Sequence, residues 1–200
     1  LFLSVNRVGD EGCAVLGKMF ETNVNLRRLS LASNRISDVG VESLVSGLLH
    51  SKHPLELLDL GFTKSTFAVR EIGNRICNDG AKSLARLLES NTTLRSLFLL
   101  NNSIEDEGLI ALGKALESNS SLTSLGTTQF YSNNDLLAKH ILHRVQANKA
   151  ANPPEVEDID LPEHVREIYS VYRTKSAAQQ PFLHKFNWLQ AADLDVIPDQ

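Results

Sequence analysis

Short alternating apolar triplets and longer apolar stripes succeed one another along this chain with a regular beat. The triplets are Leu1-Phe2-Leu3, Leu29-Ser30-Leu31, Leu58-Asp59-Leu60, Leu97-Phe98-Leu99 and a degraded Leu125-Gly126-Thr127. Side chains alternate across a strand, so each triplet predicts a short β-strand with its Leu residues inward and its middle residue outward. The stripes are Cys13-Leu16-Phe20, Val41-Leu44-Leu48, Ala81-Leu84-Leu88 and Leu109-Leu112-Leu116. Their i, i+3, i+7 spacing lines one face of a helix that packs on the strands. Strand, loop and helix form one unit, and the unit repeats.

Between strand and helix each unit carries a polar phrase. It reads Asn6-Val8-Asp10-Gly12, Asn34-Ile36-Asp38-Gly40, Asn74-Ile76-Asn78-Gly80 and Asn102-Ile104-Asp106-Gly108. The Asn falls where the chain turns inward after the strand, and its side chain is expected to satisfy loop backbone groups that the sheet cannot pair. Losing such a buried bond costs about 1–3 kcal/mol. Asp10, Asp38, Asn78 and Asp106 are placed to accept from the first-turn N–H groups as N-caps. Asn23, Asn91 and Asn119 follow the helices, where a left-handed C-cap residue is expected.

A repeat of this period predicts a stacked solenoid, with parallel strands making one continuous sheet. The pattern resembles the ribonuclease-inhibitor-like class of leucine-rich repeats. Asn6 to Asn34 and Asn74 to Asn102 are each 28 residues apart, enough for a full helix per unit. The resemblance covers about residues 1–152 and implies an α/β horseshoe arc with a concave parallel sheet and convex helices. It also implies a role in binding other proteins, since the class includes nuclease inhibitors, small-GTPase activators and sensor segments of innate immune receptors.

Function is expected where the rhythm breaks. Asn34 to Asn74 is 40 residues, with one extra residue near His53-Pro54 and eleven more from Thr63 to Gly73. That insert, residues 63–73, lies between a strand and a ladder Asn and so belongs to one rim of the arc. Its Phe67, Val69 and Ile72 each cost about 1.5–3 kcal/mol if left wet, which predicts packing on a neighbouring coil or cover by a partner. Gly61-Phe62-Thr63-Lys64-Ser65-Thr66 is superficially like a phosphate loop but lacks the first Gly and precedes no helix. On the concave face Leu57, Phe62, Phe98 and Leu100 are expected to meet beside the insert. An apolar patch rimmed by Arg28, Asp59 and Asn101 reads as a protein-binding hot spot. The candidate partner-binding residues are thus Arg28, Leu57, Asp59, Phe62, Phe67, Phe98, Leu100 and Asn101.

Past Leu125 the strand phrase fades. Asn133 or Asn134 can open a helix with Leu136, Leu137, Ile141, Leu142 and Val145 on its apolar face, a degenerate last coil that shields the end of the core. Asn152-Pro153-Pro154 then breaks the pattern, and residues 153–200 form a linker and tail. The linker holds Glu155, Glu157, Asp158, Asp160 and Glu163. A short helix carrying Val165, Ile168, Tyr169 and Tyr172 follows. Phe182, Phe186, Trp188 and Leu189 suggest a segment that docks on the arc or on a partner. The opening at Leu1, inside a strand and without Met, predicts an upstream part missing from the sequence.

Composition narrows the chemistry. Twenty Lys and Arg against 24 Asp and Glu give a net charge of −4, which offers no basic footprint for nucleic acid. No apolar run reaches membrane-spanning length. Cys13 and Cys77 occupy different places in their coils, so no disulfide is expected, and the chain suits a reducing, cytoplasmic setting. His140 and His143 lie about one helical turn apart without a third ligand, so they are read as a solvent face and not a metal site. The glycosylation-type triplets at Asn91, Asn101 and Asn119 arise from turn chemistry. No nucleophile elbow, dinucleotide fingerprint or paired-carboxylate site is present. The sequence therefore predicts a non-enzymatic protein-interaction module without cofactor, acting through its concave face and rim insert. Regulation of an enzyme, as a small-GTPase activator or an inhibitor, is the alternative, as is the sensor segment of a larger receptor. Oligomeric state is left open.

Overall fold

Among the described residues, four three-residue strands alternate with helices as the apolar beat requires. The computed structural model describes residues 1–51, 53–61, 73–127 and 135–152. The strands are β1 (Arg28–Ser30), β2 (Leu57–Asp59), β3 (Ser96–Phe98) and β4 (Ser124–Gly126). The helices are α1 (Gly9–Phe20), α2 (Asp38–His50), α3 (Asn78–Ser90), α4 (Asp106–Ser118) and α5 (Asp135–Ala151). All strand pairs are parallel and in sequence order, with Leu29, Leu58, Leu97 and Leu125 aligned rung on rung. Phe2 bridges to Ser30 and continues the sheet toward the first residues. These elements belong to one compact unit, Leu1–Pro153.

The core lies between sheet and helices. Leu29, Leu31, Leu58, Leu60, Leu97 and Leu99 from the strand side meet Val41, Leu44, Ala81, Leu84, Leu109, Leu112 and Leu116 from the helix side, all buried. Each fully buried Leu contributes about 1.5–3 kcal/mol of transfer free energy, so the repeated stripe drives the fold. Between α1 and α2 the backbones themselves touch. A Cβ at Gly47 would strike the carbonyl of Gly17, and one at Gly17 would strike that of Ser43.

The ladder Asn residues behave as expected and in a specific way. Asn74 Oδ1 accepts from the backbone N–H groups of Asn34 (2.9 Å) and Ile36 (3.0 Å), while its Nδ2 donates to the carbonyls of Leu31 (3.0 Å) and Leu60 (2.9 Å). Asn34 serves Val8 N–H and the carbonyls of Leu3 and Ala32, and Asn102 serves Ile76 N–H and the carbonyls of Leu60 and Leu99. Each Asn thus joins its own strand exit to the coil before it. Asn6, exposed at the first coil, bonds only to Leu3 and Ser4 of its own loop.

Two capping expectations are corrected. Asp10, Asp38 and Asn78 cap the following coil's helix, not their own. Asp10 Oδ1 accepts from the N–H groups of Ser37 and Gly40, and its Oδ2 from Ser37 Oγ. Asp38 Oδ1 accepts from Cys77 N–H, and Asn78 Oδ1 from Glu105 and Gly108 N–H. Parallel stacking sets one helix N-terminus beside the next, so a first-turn carboxylate reaches its neighbour's orphan donors and the positive end of its dipole. The Gly of the phrase makes this possible. A Cβ at Gly80 would lie 2.5 Å from Asp38 Oδ1, and one at Gly108 would lie 2.9 Å from Asn78 Oδ1. Val8, the N-cap residue of α1, has no capping side chain of its own, and its N–H donates to Asn34 Oδ1.

Nor are the post-helical Asn residues left-handed. Asn91 and Asn119 are extended, with φ −82° and −81°, and Asn23 is not among the positive-φ residues. Their Oδ1 atoms instead accept from N–H groups two and three residues on, as in Asn91 with Thr93 and Leu94. Asn23 does the same with Asn25 and Leu26, and Asn119 with Ser121 and Leu122. These are Asx-type turns that launch the next strand. Left-handed geometry occurs at the strand exit, at Val5, Ser33 and Asn101, and further along the chain at Arg35 and Gly9.

The last coil closes the core. Ala138, Ile141 and Val145 of α5 are buried and Leu137 packs beside them, but Leu136 and Leu142 face outward at 81% and 38% exposure. The buried face therefore follows 137, 138, 141, 145 and 148 instead of the predicted set. Arg144 donates to the carbonyls of Leu116 and Glu117, and Asn148 to those of Asn119 and Leu122, which satisfies the end of α4 and its turn. On the convex side Glu42 links α2 to α3 through Ser83 and Arg86, and those bonds, Ser83 first, hold its carboxyl below its usual range.

Candidate functional site

Outward strand positions form three rows across the concave sheet. In the first row Arg28 pairs with Leu57, Leu57 with Ser96, and Ser96 with Ser124. The second row runs Phe2, Ser30, Asp59, Phe98 and Gly126. The third begins with Ser4, Ala32, Gly61 and Leu100. The sheet therefore brings Arg28 beside Leu57 and Asp59 beside Phe98. Phe62 and Phe67 of the predicted site lie outside the described residues, as do residues 63–72 of the insert and the tail, residues 153–200.

The apolar patch is not where alternation alone put it. Leu57 is 4% exposed and Phe98 8%, so neither is an open surface. Phe98 leans away from Leu57, toward the degraded strand. Its Cδ1 lies 3.0 Å from where a Cβ of Gly126 would stand, and Leu100 Cγ lies 3.6 Å from the same point. The missing side chain at Gly126 creates a seat that Phe98 and Leu100 share. Leu100 remains half-buried, Arg28 is exposed, and Asn101 is half-buried at φ 58°.

Asp59 also departs from its expected place at a rim. It is 7% exposed and sits within a polar thread across the face. Ser4 Oγ meets Ser30 Oγ at 2.7 Å, Ser30 Oγ donates to Asp59 Oδ2 at 2.8 Å, and Gly61 N–H donates to Asp59 Oδ1 at 3.0 Å. Burial pushes the carboxyl pKa up, against the lowering effect of the Gly61 and Ser30 bonds. The folded chain thus holds this proton more tightly than the unfolded chain does. Its contribution is favourable below the ordinary carboxylate value of 3.8 and is lost as pH rises through the folded value. Asp59→Asn keeps the acceptor without the charge. Its thermal midpoint is expected to exceed that of the parent at pH 7, with the gap closing toward pH 4; parallel curves across that range would contradict the assignment.

Both cysteines are free, Cys13 buried with its thiol pushed up to about 12 by burial and then by Asp10, and Cys77 exposed. His140 and His143 are exposed, and no group of three His, Cys, Asp or Glu among the described residues is arranged to hold a metal. Among those residues no helix is long and apolar enough to cross a membrane. Asn91 and Asn119, two of the glycosylation-type triplets, spend their side chains on the turns described above.

Stacked strand–loop–helix coils joined by an Asn ladder define a leucine-rich repeat domain. A family model described as Leucine Rich repeat matches residues 22–45 and 90–113. A ribonuclease inhibitor of Sus scrofa is 34% identical over 92 residues, which is 46% of this chain and 18% of that protein. A NACHT, LRR and PYD domains-containing protein 3 of Bos taurus is 37% identical over 92 residues, 46% of this chain and 8% of that protein. The chain thus spans less than a fifth of the length of either relative. The structure of Leiomodin-1 Actin-Binding Site 2 aligns over 85% of this chain and 88% of that one, with TM-score 0.58 and 18% identity, a likeness of fold. The domain has the leucine-rich repeat fold and is similar to the ribonuclease-inhibitor-like class.

Proposed function

We propose that this domain binds a partner protein through its concave face, without catalysis and in a cytoplasmic setting. Leucine-rich repeat domains generally mediate protein–protein interaction. The observation that carries the choice of face is the seat at Gly126, where Phe98 and Leu100 lean together and leave Leu100 half-buried. Hot spots favour such an apolar anchor held by its neighbours, with a polar or Arg rim around it. Arg28 and Asn101 supply that rim, and Phe62 and the insert residue Phe67 are assigned to the same site by their place in the sequence. Asp59 and Leu57 support the floor of the face.

A photo-crosslinking residue at Leu100, and separately at convex Lys114, tests this in native extract. Leu100 is expected to yield a discrete protein adduct that Lys114 does not. Adducts from Lys114 alone would sink the choice of face. Regulation of an enzyme is the second reading, favoured by similarity to the ribonuclease inhibitor. It requires that the adducted partner be an enzyme whose turnover changes on binding.

A further inference from the structure

Among the described residues three buried side-chain polar atoms lack a hydrogen-bond partner, and two of them are the ring nitrogens of His53. His53 is 2% exposed and meets the Phe20 ring edge to face, with centroids 4.7 Å apart and the planes at 65°. It stands in the turn between α2 and β2, where the sequence holds one extra residue. The other helix-to-strand turns are carried by the side chains of Asn23, Asn91 and Asn119. Here Ser51, Lys52, His53 and Pro54 supply no Asn. Ser51 Oγ donates back to Gly47 O at 2.9 Å, and His53 is buried.

This turn ties neighbouring coils together. Phe20 closes α1 and is itself buried, while the His53 carbonyl accepts from Thr93 Oγ1 at 3.2 Å in the turn after α3. Just beyond, the N–H groups of Glu56 and Leu57 both donate to Arg27 O. A neutral imidazole carries one N–H donor, whereas an imidazolium carries two donors and a full charge. Placing that cation in a buried seat without an acceptor costs far more than leaving it in water.

Nothing charged on the surrounding elements offsets that cost. Those elements bring Lys18 and Glu21 at the end of α1, His50 at the end of α2, Arg27 and Glu56 at the strand entries, and Glu89 and Arg95 on either side of the turn after α3. None of the carboxylates reaches a ring nitrogen of His53, and Glu56 lies instead against Arg27 at 3.8 Å. Burial first, and then the positive charge of Arg27, push the imidazole below its ordinary value of 6.5.

We propose that His53 is an acid-operated latch: on acidification its protonation expels the ring from the Phe20 seat and opens the turn between α2 and β2. The folded chain binds this proton less well than the open turn does. The stability the closed ring contributes is therefore fully present above 6.5 and is lost as pH falls through that value toward the folded one. Opening uncovers Phe20 and releases Thr93. The ladder Asn residues lie at the other end of the strands and take no part. Neither Glu42 nor Asp59 imitates the effect, since Glu42 loses its charge only below 4.5 and Asp59 favours the fold on acidification.

The test follows amide exchange and the His53 ring of the full chain by nuclear magnetic resonance at pH 7.4 and 5.4. With exchange corrected for its intrinsic pH dependence, protection at Glu56 and Leu57 is expected to fall severalfold, up to about tenfold, on acidification. Leu122 N–H, held by Asn119 in the turn before β4, is expected to keep its protection. The ring resonance is expected to titrate below 6.5. His53→Asn and His53→Leu are each expected to abolish the loss at Glu56 and Leu57. Unchanged protection in the parent, an equal loss at Leu122, a ring that titrates at or above 6.5, or a loss that persists in either folded variant would each overturn the proposal. The ring titration needs no variant, so it decides the matter even where neither replacement folds.

Discussion

Replacing Asn74 with Ala is expected to cost at least about 3 kcal/mol of stability, while the same change at Asn6 costs less than about 0.5 kcal/mol. The two residues hold the same place in the repeat. Asn74, 5% exposed, serves two N–H groups and two carbonyls drawn from Leu31, Asn34, Ile36 and Leu60. Truncation leaves the N–H groups of Asn34 and Ile36 and the carbonyl of Leu31 without side-chain partners, the Leu60 carbonyl keeping Asn102, and each unsatisfied buried group costs about 1–3 kcal/mol. Asn6 is exposed and bonds only within its own loop, so water replaces what it loses. In a domain of this size about 3 kcal/mol lowers the thermal midpoint by roughly 6–12 °C. Thermal melts of the two variants side by side check the difference. Equal shifts would show that the Asn phrase is not the joint between coils.

That joint was readable in the sequence only in part. The Leu-x-Leu triplets and the i, i+3, i+7 stripes identify strands, helices and their stacking, because alternation and helical period are local. Asn34, Asn74 and Asn102 were readable as backbone partners for the same reason. Direction between coils was not. Asp10 stands correctly for capping its own helix, and nothing in local spacing says that its oxygens go to Ser37 and Gly40, 27 and 30 residues away. The recurring Gly was the signal, since Gly80 and Gly108 exist to admit the preceding coil's side chain. Likewise, alternation put Leu57, Asp59 and Phe98 on the concave face but could not say how deeply they are covered. Gly126 read as decay of the repeat, yet its missing side chain is what seats Phe98 and Leu100. The serine–aspartate thread of Ser4, Ser30 and Asp59 was invisible because hydroxyls carry no periodic signature.

The second large effect concerns binding. Arg28 and Leu100 lie on the concave face in positions open enough to change without emptying the core, Arg28 exposed and Leu100 half-buried. Arg28→Glu with Leu100→Asp puts one carboxylate in the Phe98 seat and another two strands away on the same face. Loss of one Arg and one apolar anchor at a hot spot removes about 1–2 kcal/mol each, or roughly a hundredfold in Kd together. The convex substitution Lys114→Glu leaves that surface intact and is expected to change Kd less than about twofold.

Titration calorimetry of both variants against the protein crosslinked through Leu100, with thermal melts confirming that each is folded, measures this directly. A protein-binding concave face predicts roughly a hundredfold loss for the double variant and near-parent binding for Lys114→Glu. Near-parent Kd for a folded double variant would contradict it.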